Sequence, residues 1–193
     1  PSEDGRLHNV SEDYMRPASS AIRELAPWNH FYADGRKHTI QELDLGPKNN
    51  RLDQPWRLCA ACNYAEKVLP EQGTAETCPR CGDARWADTG QVRQLLRFER
   101  SRSLQGALEA RTSDDGEDRQ QTYYDVQALV DVGPENYNGA RIIKSLPFGV
   151  ESLKGVTLRE INFGRSIDAG DDVTLEVAGK AIRATGFATC TDC

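Results

Sequence analysis

Short runs that alternate apolar and polar residues dominate the second half of the chain. They are rich in β-branched and aromatic residues, and Gly, Pro and Asp separate them, as is typical of strands and their turns. From residue 121 onward the runs are "TYYDVQALVDV", "ARIIKSLPFGV", "VTLREINFG" and "DVTLEVAGKAIRATGF". The pattern predicts a mostly β (α+β) fold that contains a zinc ribbon and either a small twisted sheet or a partly open barrel.

Two segments nearer the N-terminus carry a less uniform pattern. "NHFYADGRKHTI" predicts a hairpin, because two short apolar runs flank the turn-forming pair Asp34 and Gly35. "QVRQLLRFERSRSLQGALEAR" fits two structures: a helix would place Arg93, Arg97 and Arg100 on one face, whereas a strand would alternate less cleanly. Periodicity alone leaves both open.

The chain of 193 residues is long enough for one domain or two small ones. Shifts in composition divide it into four segments: a polar, disordered tail (residues 1–15), a hairpin and extended segment packing on the rest (16–55), a zinc ribbon (56–90) and a β-rich module (91–193). The chain opens with Pro and closes on the second Cys of a pair, so we expect it to be part of something longer.

The ribbon prediction comes from two Cys-x-x-Cys pairs that stand 15 residues apart. The chain is neither small nor preceded by a signal peptide, which disfavours a disulfide scaffold, and a thioredoxin-like redox centre needs one such pair. Zinc prefers four thiolates in a tetrahedron, and two Cys-x-x-Cys turns at this spacing supply them. The predicted ligands are Cys59, Cys62, Cys78 and Cys81.

The residues around the thiols refine this prediction. Gly82 follows the last ligand, where a backbone free to adopt positive φ can turn its amides toward sulfur. Trp56 and Trp86 flank the ribbon, and we expect them to anchor it to a neighbouring layer, with base stacking as the alternative. Four protein ligands leave no open coordination position, so the zinc is expected to be structural and not catalytic.

A third pair, Cys190 and Cys193, supplies only half of a metal site. We expect it to be a possible second zinc half-site whose other ligands lie beyond the sequence given. The alternative is a reduced, exposed pair of thiols at the end of the chain.

The formal charge of −6 disfavours binding of nucleic acid by bulk positive charge. One basic cluster stands out, and it contains Arg93, Arg97, Arg100 and Arg102. It could contact a nucleic-acid backbone or be a solvated face paired with carboxylates. An acidic stretch at residues 113–121 could hold a hard cation through Asp114, Asp115, Glu117 and Asp118, but it lacks a calcium-loop pattern and is expected to be a solvated loop.

Several motifs are missing from the sequence. There is no phosphate-binding Gly-x-x-x-x-Gly-Lys loop, no Gly-x-Gly-x-x-Gly turn and no Gly-x-Ser-x-Gly elbow, so we expect no catalytic residues in this segment. No apolar run reaches the length of a membrane span and no leader pattern is present, which predicts a soluble, cytoplasmic protein without a membrane or small-molecule partner.

A set of motifs resembles a known family. The motifs are "RPASSAIRELAPWNHFYADGRKHTI", "WRLCAAC", "CPRCGDARWADTGQ", "SDDGEDRQQ", "LREINFGR" and "GFATCTDC". They are similar to the cysteine-containing C-terminal region of large bacterial superfamily-2 DEAD/DEAH-type helicases, which act in DNA repair and in anti-phage defence systems such as DISARM. The resemblance implies that the four ribbon cysteines bind zinc and that the later Cys cluster is cut short here.

The resemblance also implies a function. The motor motifs are absent, so ATP binding and hydrolysis would belong to the parent chain or to a helicase partner subunit, and this segment would position DNA or brace the motor. The alternative is a zinc-stabilised protein-interaction scaffold that does not touch nucleic acid. A third hypothesis, a metal-dependent hydrolase using the acidic stretch, has less support from the residues.

Overall fold

A computed structural model describes residues 12–71, 73, 75–103, 123–167 and 175–188. The strands, in chain order, are β1 (His30–Ala33), β2 (Arg36–Thr39), β3 (Glu42–Leu43), β4 (Asp53–Leu58), β5 (Ala65–Lys67), β6 (Val92–Leu96), β7 (Ser101–Arg102), β8 (Tyr124–Asp131), β9 (Tyr137–Ile142), β10 (Gly149–Leu153), β11 (Thr157–Arg165), β12 (Leu175–Val177) and β13 (Lys180–Ile182). The helical elements are α1 (Ala18–Glu24) and three 3-10 turns (Ala84–Ala87, Thr89–Gln91, Pro134–Asn136). None of the described helices is long and apolar enough to cross a bilayer.

The strands of the described residues form small antiparallel sheets that do not close into a barrel. The mostly β prediction is confirmed, and of the two predicted architectures the small sheet is the one observed, not the partly open barrel. Each sheet in the described residues has two strands except one of three, in the order β5-β4-β6. Each strand of a two-stranded sheet therefore has one edge without a strand partner among the described residues.

The predicted hairpin near the N-terminus is present as β1 and β2. Asp34 and Gly35 form its turn with φ values of 50° and 67°, the left-handed pair that matches the twist of two-residue hairpins. The segment that fitted both helix and strand forms β6, which pairs with β4 through partners such as Trp56 and Arg93. The helical alternative is therefore wrong for residues 92–96. The local sequence favours neither helix nor strand, and pairing with β4 selects the strand.

The segment before the ribbon contacts the rest of the chain through α1 and β3. The Asn162 side chain donates a hydrogen bond to the Ile22 carbonyl at 2.7 Å, which fixes α1 on β11. β3 pairs with β7, with Glu42 opposite Arg102. These contacts hold the N-terminal elements against β7 and β11.

One hydrophobic core joins the ribbon to the C-terminal strands. Its buried members come from β4 and β5 on one side and from β8, β11, β12, β13 and Ala184, two residues beyond β13, on the other. They are Leu58, Ala65, Leu129, Ile161, Leu175, Val177, Ile182 and Ala184. Trp56 packs at its margin, as expected of an anchoring aromatic residue. The core crosses the predicted boundary at residue 90, so the ribbon and the β-rich module bury apolar surface against each other.

A close backbone approach ends the long β8–β11 pair. The register shifts between Asn162 and Arg165, and at this irregularity Gly164, with φ of 102°, bridges to Gly186. A Cβ atom on Gly164 would lie 2.5 Å from the Gly186 carbonyl oxygen, closer than side chains allow. Glycine is required here both for its φ and for the contact.

We predict that Gly164→Ala lowers the free energy of unfolding by more than Gly35→Ala. The control also has positive φ, but nothing lies within 4 Å of its Cβ position, so it carries only the left-handed penalty of about 1–2 kcal/mol. Urea unfolding followed by tryptophan fluorescence measures both. Equal destabilisation of the two variants would contradict the close approach.

Candidate metal centre

The first Cys-x-x-Cys turn follows β4 directly. Leu58 ends the strand in the shared core, Cys59 and Ala60 are fully buried, and β5 begins at Ala65. The Cys59 N–H donates to the Tyr64 carbonyl at 3.0 Å, which closes the turn. The chain therefore reverses around the thiols as one β-hairpin.

The second turn lies in the connection between β5 and β6. The Cys78 N–H donates to the Asp83 carbonyl at 3.0 Å, and the Gly82 N–H donates to the Cys78 carbonyl at 2.9 Å. Gly82 has φ of 77°, so the positive φ predicted for it is confirmed. An ordinary L-residue at this position would be strained in that conformation.

The two turns bring all four predicted thiols together. The Cys59 and Cys81 Sγ atoms are 3.6 Å apart, those of Cys62 and Cys78 are 3.8 Å apart, and all four lie within 4.8 Å of one another. Disulfide sulfurs would be about 2.05 Å apart, so the four cysteines are free thiols. A tetrahedral ion with metal–sulfur distances of about 2.3 Å sets its sulfurs roughly 3.8 Å apart. The cluster could therefore hold a metal ion.

Burial and backbone amides act on the thiols in opposite directions. Burial raises the pKa of Cys62, and it raises the pKa of Cys59 against the N–H groups of Cys62 and Ala61, which favour the thiolate. The Asp83 N–H lowers the pKa of the exposed Cys81 thiol. Amides aimed at sulfur are what thiolate ligands need, since each offsets part of the negative charge.

A small aromatic core packs against the thiol cluster. Trp86 is fully buried against Cys59 and Cys78, and its ring centroid lies 5.4 Å from that of Tyr64. The buried Arg57 places its guanidinium 5.7 Å from the Trp86 ring centroid and donates hydrogen bonds to the Trp86 and Asp88 carbonyls, the latter at 3.0 Å. This packing fixes the second turn on the strand that carries the first.

The hairpin turn between β12 and β13 holds the first Cys-x-x-Cys turn. The Ala178 N–H donates to the Cys59 carbonyl at 3.0 Å, and the Gly179 N–H donates to the Ala60 carbonyl at 2.6 Å. Both donors are in left-handed conformation, with φ of 51° and 75°. The sequence did not predict this contact, because Gly179 between two short apolar runs indicates only a turn.

Polar side chains add further links between the ribbon and the β-rich strands. Arg80, inside the second Cys-x-x-Cys turn, pairs with Asp131 at 2.9 Å, and Arg159 pairs with the same carboxylate at 3.2 Å. The buried Gln91 amide lies where its nitrogen can donate to the Leu58 and Glu176 carbonyls, at 2.9 and 3.1 Å. Both turns are thus tied to strands outside the ribbon.

The structure separates the predicted arginine cluster. Arg93 is half-buried in β6 and donates to the carbonyls of Gly90 and Val92, whereas Arg97 is exposed and pairs with Glu99. The other two, Arg100 and Arg102, are also exposed, and Arg102 lies in the β3–β7 sheet. The four guanidinium groups therefore do not share one strand or one sheet.

Two predicted features lie outside the described residues. They are the half-site of Cys190 and Cys193 and the acidic stretch at residues 113–121. Both stay predictions.

The chain was compared with models of known protein families, with curated proteins and with solved structures, and no match was found in any of the three. The resemblance to helicase C-terminal regions therefore rests on the sequence motifs alone.

We predict that Arg57→Ala lowers the free energy of unfolding by roughly 2–3 kcal/mol, because two carbonyls are then without a charged donor in a buried setting. The matched control is Arg85→Ala, which removes an exposed arginine that pairs with Asp83 and Glu176 at the surface. Exposed pairs contribute little, so the control should change stability slightly. Denaturant unfolding of the two variants checks this, and an equal destabilisation of both would be the contrary result.

Proposed function

We propose that the chain is a non-catalytic, zinc-stabilised interaction scaffold. The observation that supports the zinc is the set of four thiols within 4.8 Å, formed by residues 59–62 and 78–81. Four sulfur donors in a tetrahedron favour zinc or iron among common metals. Zinc fits the two-turn arrangement on a three-stranded sheet, which is typical of closed structural sites.

The proposed role of the metal is structural. Cys59 and Cys78 are buried, and their turns are tied to β12–β13 and to Asp131 by hydrogen bonds and an ion pair. Four protein ligands complete a tetrahedral shell and leave no position for substrate or water. Metal binding would hold together the connection between β5 and β6, which carries the second pair of ligands.

The reduced state of the thiols supports a location for the protein. The described cysteines are unpaired, and thiols of this kind persist in reducing compartments. We therefore propose a cytoplasmic location.

The interaction role is supported by charge and by exposed apolar surface. The chain carries a formal charge of −6, and its arginine cluster is divided between elements. Large apolar side chains remain exposed in the described residues, among them Ile142, Phe148 and Leu158. Surface of this kind marks contacts with other proteins. The resemblance of the motifs supports a superfamily-2 helicase motor, in DNA repair or anti-phage defence, as one partner.

We predict one zinc ion per chain, and that a chelator exposes Trp86 and unfolds the ribbon, because metal-binding energy is folding energy in such sites. Zinc content by elemental analysis and the tryptophan emission maximum before and after chelation measure this. Cys62→Ser should lose the metal. Iron in place of zinc, or an unchanged emission maximum after the zinc has been removed, would contradict the proposal.

The matched control for the zinc measurement is the double variant Cys190→Ser with Cys193→Ser. It removes two thiols without touching the cluster, so it should keep the single zinc ion. Two zinc ions in the parent chain and one in this variant would instead assign a second site to the terminal pair.

A second candidate function is contact with DNA as an accessory module of a helicase. The observation that favours it is that Arg97, Arg100 and Arg102 are all exposed. Such contacts would be with phosphates, which position a protein without reading sequence.

A salt titration separates the two functions. DNA contact predicts that Arg97→Glu with Arg100→Glu weakens binding to a labelled duplex and reduces the slope of log affinity against log salt by roughly 0.9 for each phosphate that the arginines neutralise. The control is Arg36→Glu, an exposed arginine in the β1–β2 hairpin. A scaffold that does not touch nucleic acid predicts no binding by the parent chain at any salt concentration, measured by fluorescence anisotropy.

A further inference from the structure

The indole N–H of Trp86 is buried without an acceptor. The side chain is 0% exposed, and its Nε1 atom has no hydrogen-bond partner among the described residues. A buried N–H without an acceptor costs free energy, and most buried polar groups in proteins therefore have a partner. The groups that surround the Trp86 ring decide which acceptor can meet this N–H.

The side chains around the Trp86 ring leave sulfur as the remaining acceptor. Arg57, whose guanidinium lies 5.7 Å from the ring centroid, has donors and no acceptor. The Tyr64 ring centroid lies 5.4 Å away, and its hydroxyl donates to a carboxylate of β5 at 2.8 Å. The other members of this small core are cysteines, and Cys59 and Cys78 are buried together with Trp86.

The charge of a loaded site makes its sulfurs better acceptors. Four thiolates outweigh the charge of one divalent ion, so the loaded cluster is negative. Backbone N–H groups already act on the sulfurs of Cys59, Cys62 and Cys81 and favour their charged form. An indole N–H is a further donor of this kind, and a hydrogen bond to a charged acceptor is roughly twice as strong as one between neutral groups.

We propose that Trp86 is a positioning residue of the metal centre, and that its indole N–H donates a hydrogen bond to a metal-bound sulfur of Cys59 or Cys78. The bond offsets part of the thiolate charge and gives the buried N–H its acceptor. Groups that support metal ligands in this way change metal affinity by about 10–100-fold. The inference rests on the proposed zinc site, and it gives Trp86 a role beyond the anchoring expected from the sequence.

Spin coupling between cadmium and the indole proton tests the contact. Cadmium-113 is a soft ion that replaces zinc among thiolates, and a hydrogen bond to a metal-bound sulfur transmits coupling from the metal to the donor proton. We expect a proton–cadmium correlation spectrum of the cadmium-loaded full chain to contain an indole signal that Trp86→Phe removes. Trp28, which is 62% exposed, and Trp56, which packs on the other core, are internal controls and should show no coupling.

Zinc affinity supplies a second measurement. Trp86→Phe keeps an aromatic ring but loses the N–H, so we expect it to bind zinc about tenfold more weakly in competition with a chelator. The matched control is Trp56→Phe, which removes an indole N–H outside the thiol cluster and should bind zinc like the parent.

Cobalt separates the hydrogen bond from packing. In the cobalt-loaded chain, Trp86→Phe should shift the sulfur-to-cobalt charge-transfer band to lower energy, because a thiolate that loses a donor gives up its electrons more readily. A purely structural role for Trp86 would leave the band of the bound cobalt in place.

The contrary outcomes are distinct. A cadmium-loaded chain without an indole correlation assigns the N–H to another acceptor, such as a buried water, and overturns the inference. An unchanged zinc affinity and cobalt band in Trp86→Phe also overturn it. If Trp86→Phe does not fold, Trp28→Phe and Trp56→Phe assign the indole signals of the parent by elimination, and its spectrum still decides. A chain that binds neither zinc nor cadmium overturns the proposed function as well, whereas a loaded chain without the coupling overturns the inference alone.

Discussion

The structure depends on the backbone contact between the first Cys-x-x-Cys turn and the β12–β13 turn. In the Cys-x-x-Cys turn the N–H groups of Ala61 and Cys62 donate to the Cys59 sulfur, so they do not donate to the carbonyls of the same turn. The Cys59 and Ala60 carbonyls are buried where water cannot reach them, and a buried carbonyl without a donor costs free energy. The turn between β12 and β13 supplies both donors, and its strands fill the core beside Leu58.

Because of this contact, the four-thiol cluster and the shared core stabilise each other. A ribbon of this size buries little apolar surface by itself, and the described residues show only Trp86 and Tyr64 packed with the thiols. The larger core is built with strands more than sixty residues further along the chain. Holding the thiols together therefore positions Leu58 and Ala65, and burying these side chains positions the thiols in return.

The clustering of the four thiols was predictable from sequence because Cys-x-x-Cys geometry is local. Two thiols three residues apart in a turn converge on one point, and the positive φ of Gly82 follows from the same turn. The hairpin at Asp34 and Gly35 was predictable for the same reason. The contact of the β12–β13 turn was not predictable. Ala178 and Gly179 have the pattern of an ordinary hairpin turn, and the neighbouring sequence does not indicate which carbonyls accept their hydrogen bonds.

Residues of the arginine cluster are close in sequence but do not lie in one sheet. Arg93 and Arg102 are nine residues apart, yet one belongs to the sheet of β4 and the other pairs with β3, because the chain leaves the first sheet after Leu96 and enters the second at Ser101. Proximity in the sequence therefore does not place these arginines in one sheet.

The hairpin of β9 and β10 shows that a core-like sequence does not ensure burial. "ARIIKSLPFGV" has the β-branched and aromatic content that places β8 and β11 in the core, but its side chains lie exposed. Burial depends on which strands pair, and β9 and β10 pair only with each other among the described strands. An isolated two-stranded hairpin is marginally stable in water. Covering its apolar side chains would therefore remove Ile143 and Phe148 from solvent and stabilise the hairpin.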